Sequence, residues 1–144
     1  MTFGALLAAL PFGDAVVPVT LTGRELRALL EMQWLGDRRR PWRPEPYLLY
    51  VSGLRYAWDP SRPQGERIMD LRVSGAPVEP GRAYRIAAPS SLAGGIDQFP
   101  PLGPRGERRS GPRDVDALAA YLEALPQPVA VEVDGRVARR SPSR

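Results

Sequence analysis

The sequence predicts an α+β fold: a mostly antiparallel sheet, two main packed helices and a short N-terminal helix. Short runs of alternating β-branched and aromatic residues recur along the chain, and other segments show helical spacing between clear start and stop signals. The strand runs are joined by links too short for parallel crossovers. With 144 residues, 43% hydrophobic and 25% charged, the chain suits one domain. Its expected bounds are residues 1–138, with 100–113 a flexible Pro/Gly/Arg loop and 139–144 a disordered tail.

Thr2 can cap a helix running to Ala9, where Phe3, Leu6, Leu7 and Leu10 form an apolar stripe and Pro11 forces the stop. Alternation at Val17, Val19 and Leu21 reads as a strand over Ala15–Leu21. Thr22-Gly23-Arg24-Glu25 is a capping box that should open a helix to about Trp34. Its inward face carries Leu26, Leu29 and Leu30, which Gln33-Trp34 can extend, and Arg24, Arg27 and Glu31 point outward. Residues 37–46 combine arginines, Trp42 and prolines and read as a loop. Four strands are expected next, over Tyr47–Val51, Leu54–Trp58, Arg67–Ser74 and Arg82–Ala88. Pro89–Phe99 reads as a loop whose glycines and Asp97 invite a functional role. Asp114 opens a second helix with Val115, Leu118, Ala119, Leu122 and Leu125 at helical spacing, and Val129, Val131 and Val133 make a last strand.

Composition excludes several functions. Cysteine and histidine are both absent, which removes thiol nucleophiles, imidazole bases, disulfides and the commonest transition-metal ligand. All 20 positive charges are arginine and asparagine is missing, a bias that a hot habitat and a GC-rich genome produce equally. No run approaches the ~18 apolar residues of a membrane helix, so no membrane partner is expected. The apolar opening Phe3–Phe12 lacks a preceding basic residue and reads as folded sequence, not as a signal peptide. The net charge is only +4, and the runs Arg38-Arg39-Arg40 and Arg108-Arg109 sit among prolines and glycines. Nucleic acid is therefore not an expected partner, even with Trp34 and Trp42 as stacking surfaces.

Three blocks, in order, carry a resemblance. They are Leu10-Pro11-Phe12-Gly13 followed by Leu21-Thr22-Gly23-Arg24-Glu25-Leu26; Ser52-Gly53-Leu54-Arg55-Tyr56 with Asp59, Pro63, Gly65 and Gly75-Ala76-Pro77-Val78; and Tyr84-Arg85-Ile86-Ala87 leading to Leu92-Ala93-Gly94-Gly95-Ile96-Asp97-Gln98-Phe99. Together they resemble the C-terminal, substrate-binding domain of 5'-nucleotidases over most of residues 1–125. The resemblance implies a division of labour in which an N-terminal metallophosphatase domain, on the same or a separate chain, holds a divalent metal pair and performs the hydrolysis. The C-terminal domain grips the nucleotide or nucleoside. This chain is then not catalytic by itself and carries no cofactor of its own, and the family implies a periplasmic or cell-surface location.

Residue by residue, the resemblance assigns Phe12 to stacking on the base and Asp97 to the ribose hydroxyls, with Gly94 and Gly95 giving the main chain close approach to the ligand. Each has a plainer alternative: Phe12 can fill the core, Asp97 can bond its own turn, and the glycines can simply supply a bend. Ser91 falls where the family carries its second stacking aromatic, which removes one side of the base clamp. Ile96 and Gln98 replace glycines of the family loop, and a β-branched Ile96 would resist left-handed geometry. The family's phosphate-gripping arginine falls upstream of the Pro-Phe-Gly block and finds no counterpart in these residues. The leading expectation is thus a nucleotide- or nucleoside-recognition domain; the alternative is a degenerate, non-binding module with a structural or protein-interaction role. Trp58 reads as core, and the acidic pairs Asp114/Asp116 and Glu132/Asp134 read as caps and solvated faces.

Overall fold

A computed structural model describes residues 2–34, 48–96, 99–102, 111–130 and 133–140. Among them helices and strands are mixed without βαβ alternation, as an α+β fold requires. The chain forms two compact units, one of residues 1–20, 85–96 and 100–133 and another of 21–84, 97–99 and 134–144.

In the first unit, α1 (Phe3–Ala9) starts at Thr2, whose hydroxyl accepts a hydrogen bond from Ala5 N at 3.3 Å. Helix α4 (Asp114–Ala124) packs on α1, buries Val115, and carries Asp114 and Asp116 in its first turn, where negative charge offsets the helix dipole. Strand β1 (Val16–Thr22) buries Val17, Val19 and Leu21 at the period of 2 that the sequence shows. It pairs with β5 (Ala83–Pro89) in a two-stranded sheet. Ser90 N donates to Ala15 O at one end of this ladder and Gly23 N to Arg82 O at the other, so the two strands run in opposite directions. Directly after β5 the chain forms a short helix, α3 (Ser90–Gly94), where the sequence suggests only a loop.

The second unit is built on α2 (Gly23–Glu31), which continues as a 3-10 turn over Met32–Trp34. Its capping box closes as expected: Thr22 N donates to Glu25 Oε2 at 2.7 Å and Glu25 N to Thr22 Oγ1 at 3.3 Å. The remaining strands form a sheet in the order β4 (Ala76–Pro77), β3 (Ile68–Val73), β2 (Leu54–Trp58), β6 (Val137–Arg139). Antiparallel pairing joins β2 to β3 and β3 to β4, and β6 runs parallel to β2. Leu30, Tyr56, Ile68 and Leu71 form the core, with Trp34 and Trp58 packed on it at a centroid separation of 5.1 Å.

Further sequence expectations fail here, each through a partner distant in the chain. No strand forms over residues 48–51, because Gln33 Oε1 takes the Leu49 N–H at 2.6 Å where a strand would offer it to a neighbour. Glu31, placed outward by its polarity, is 6% exposed: its Oε1 accepts from Ile68 N at 2.6 Å and so ties α2 to the start of β3. The last strand is Val137–Arg139 and not the Val129–Val133 run, of which residues 129, 130 and 133 are outside any strand and Val133 is fully exposed. Arg140 N donates to Trp58 O at 2.8 Å, which extends this pairing one residue further, so residues 139 and 140 are bonded to the sheet and do not belong to the tail expected from residue 139.

Candidate functional site

The candidate site begins where α1 ends. Pro11 has no N–H to continue the helix, and Gly13 adopts φ +64°, a left-handed conformation that turns the chain toward β1. Between them Phe12 is 88% exposed, which excludes the alternative that it fills the core. Its ring face is therefore open to a partner.

Asp14, two residues on, anchors this loop. Its Oδ1 accepts hydrogen bonds from Ser90 Oγ at 2.6 Å and Ser91 N at 2.7 Å, and its Oδ2 accepts from Ser91 Oγ at 2.7 Å. Partial burial pulls the Asp14 carboxyl upward, but these bonds from Ser90 and Ser91 outweigh it and hold the group below its ordinary value. Helix α3 has no side-chain cap of its own at Pro89, and Asp14 supplies one from 77 residues away. The Asp14 backbone carbonyl accepts from Asp114 N at 2.7 Å, so one residue satisfies orphan donors at the starts of both α3 and α4. Ser90 Oγ in turn accepts from Ala15 N at 3.1 Å.

At the other end of α3, Gly94 is the last helical residue and Gly95 turns the chain with φ +92°. A Cβ at Gly95 would sit 2.9 Å from Pro101 N, so both the dihedral and the close approach require glycine. Leu102 N donates to Ala93 O at 3.0 Å and closes this turn. Ile96 is exposed and is not left-handed, so its β-branch meets no conflict. Asp97 and Gln98 lie outside the described residues, as do Trp42 and both arginine runs.

Of the residues singled out in the sequence, Phe12, Ser91, Gly94 and Gly95 therefore fall on two segments joined through Asp14. The sequence points to Phe12 and the glycines but not to Asp14. An aspartate after a Pro-Phe-Gly turn carries no local signal of a bond to a Ser-Ser pair so distant in the chain. Ser91, where a stacking aromatic would stand, is half-buried and spends its hydroxyl on Asp14.

Among the described residues no three Asp or Glu side chains come together to hold a metal ion, and no helix is long and apolar enough to cross a membrane. The chain is thus an α+β domain that presents an exposed aromatic, Phe12, on a loop pinned through Asp14 to the start of α3. The 5'-nucleotidase, C-terminal domain family matches residues 1–103, and the chain belongs to that family. It is 33% identical over 135 residues to an apyrase of Aedes albopictus, covering 87% of this chain and 23% of the apyrase. To a snake venom 5'-nucleotidase of Gloydius brevicauda it is 30% identical over 152 residues, covering 95% of this chain and 24% of the venom protein. The crystal structure of a 5'-nucleotidase precursor from Thermus thermophilus superposes with a TM-score of 0.81 at 32% identity, covering 96% of this chain and 28% of that one. The chain thus spans about a quarter of the length of these relatives.

Proposed function

We propose that this domain recognises a nucleoside or nucleotide for a metal-dependent 5'-nucleotidase-type phosphohydrolase. The supporting observation is Phe12, an 88% exposed ring on a loop that Asp14 fixes to the start of α3. An aromatic face stacks on any base for ~1–3 kcal/mol with little demand for hydrogen-bond readout. In this reading Gly94 and Gly95 let the main chain approach the ligand, and Asp97 accepts hydrogen bonds from the ribose hydroxyls, the role that the sequence resemblance implies for it. Hydrolysis belongs to an N-terminal metallophosphatase domain with its divalent metal pair, and this chain contributes binding and orientation.

Isothermal titration of adenosine and AMP into the chain tests the proposal. Saturable binding that Phe12→Ala weakens by about tenfold, the equivalent of a lost stacking face, supports it; Asp97→Ala should weaken both ligands alike. One observation favours a second reading: Ser91 offers no aromatic face and its hydroxyl is already bonded. A folded chain that binds neither ligand would be a degenerate module with a structural or protein-interaction role.

A further inference from the structure

Strands β2 and β3 place Arg55 directly opposite Arg72. Like charges facing each other across an antiparallel pair destabilise a sheet. A third arginine, Arg136, joins them around a cleft of about 340 Å³ whose lining also includes Ser52, Ser74 and Asp134. Asp134 is the single carboxylate of that lining, which leaves two net positive charges facing the cleft.

The guanidinium groups are held in place but not used up. Arg136 donates from Nε to Asp134 Oδ2 at 2.5 Å and from Nη1 to Val51 O at 3.0 Å. Arg72 donates from Nη1 to Gly75 O at 3.1 Å, and Arg55 Nη2 lies 3.9 Å from Asp134 Oδ2. Each has five N–H donors, so several remain for an anion. Ser74 adds a further sign. It takes the left-handed φ of +49° in the two-residue hairpin between β3 and β4, a position that asparagine, aspartate or glycine occupies more easily. The serine keeps a neutral hydroxyl donor at the cleft where aspartate would add a second negative charge.

We propose that the cleft of Arg55, Arg72 and Arg136 binds a tetrahedral oxyanion, either inorganic phosphate or the phosphate of a phosphomonoester. Forked guanidinium donors match the oxygens of such a group, and its charge offsets the Arg55/Arg72 repulsion. The site does not rest on the nucleoside reading, since its lining includes none of the residues assigned to base or ribose.

The test is calorimetric titration of the full chain with sodium phosphate, AMP and adenosine, at ionic strength matched with sodium chloride. Arg55→Gln and Arg72→Gln, both at exposed positions, should each weaken phosphate binding by about tenfold with unchanged far-UV circular dichroism. Arg24→Gln removes the same charge from an exposed position on α2 outside the cleft and should not change phosphate binding. If AMP gains over adenosine by an amount that Arg72→Gln abolishes, the bound group is a phosphomonoester; if only inorganic phosphate responds to Arg72→Gln, it is the free anion. Absence of saturable binding, or equal loss in Arg24→Gln, overturns the proposal. Loss of adenosine binding with phosphate binding intact would overturn the nucleoside reading alone.

Discussion

Replacing Asp14 by alanine removes three hydrogen bonds to one carboxylate and uncaps α3. Hydrogen bonds to a charged group contribute roughly 1.5–3 kcal/mol each in mutational series, but the three share one acceptor and do not add. Ser90 and Ser91 are half-buried, so water can take up part of what they lose. The Asp14→Ala loss should therefore be about 2–4 kcal/mol, and Ser91→Ala, which removes one bond of the three, should cost about 1 kcal/mol. Urea unfolding followed by circular dichroism reads both, as a lower midpoint at constant slope. A loss in Asp14→Ala below about 0.5 kcal/mol, the level of a neutral surface substitution, would refute the tether.

The pH dependence provides an independent check of sign. Asp14 has a folded-state pKa below its ordinary value, so its contribution is fully present above the unfolded value of about 3.9 and is lost as pH falls through the lower folded value. The stability gap between the parent chain and Asp14→Ala should stay constant from neutral pH down to that range and narrow below it. A gap that instead narrowed between pH 8 and pH 6 would place the titrating group elsewhere.

Two further substitutions test the second unit. Gly23→Ala would gain ~1 kcal/mol if helix propensity decided the outcome, yet a Cβ there collides with the Glu79 carbonyl and lies 2.6 Å from Val78 Cγ1. Thermal unfolding should show a net loss of about 2–4 kcal/mol, and a raised Tm would refute the close approach. Gln33→Leu leaves Leu49 N and Tyr56 Oη without their partner in the core and should cost about 2–4 kcal/mol by urea unfolding. Tyr56→Phe, which removes one hydroxyl from that network, should cost about 1 kcal/mol; equal losses in the two would contradict the central role of Gln33.

Local signals in the sequence are those whose physics is local. The Thr22–Glu25 capping box, the Val17/Val19/Leu21 alternation and the Leu54–Trp58 strand are each determined within a few residues, and each appears where the pattern puts it. What escaped was decided by distant partners. Glu31 is buried because a backbone N–H 37 residues away needs its carboxylate, and residues 48–51 stay out of the sheet because Gln33 takes the Leu49 donor. The parallel β6 was hidden for a similar reason: Val129–Val133 has the better alternation, but Val137–Arg139 has the register with β2. Helix α3 was illegible because its cap comes from Asp14 and not from its own flank.

The same tether changes what the serine at position 91 means. A missing aromatic suggests a weakened clamp, and one stacking face at ~1–3 kcal/mol cannot by itself give tight binding. Yet the hydroxyl at that position helps fix the loop that presents Phe12, and fixing a side chain before binding avoids roughly 0.5–1.5 kcal/mol of ordering cost for each group immobilised. In the proposed site the exchange of ring for hydroxyl thus subtracts a contact and adds preorganisation. With one ring in that proposed site, discrimination among bases should be weak, and affinity should depend on Asp14 through its bonds to α3.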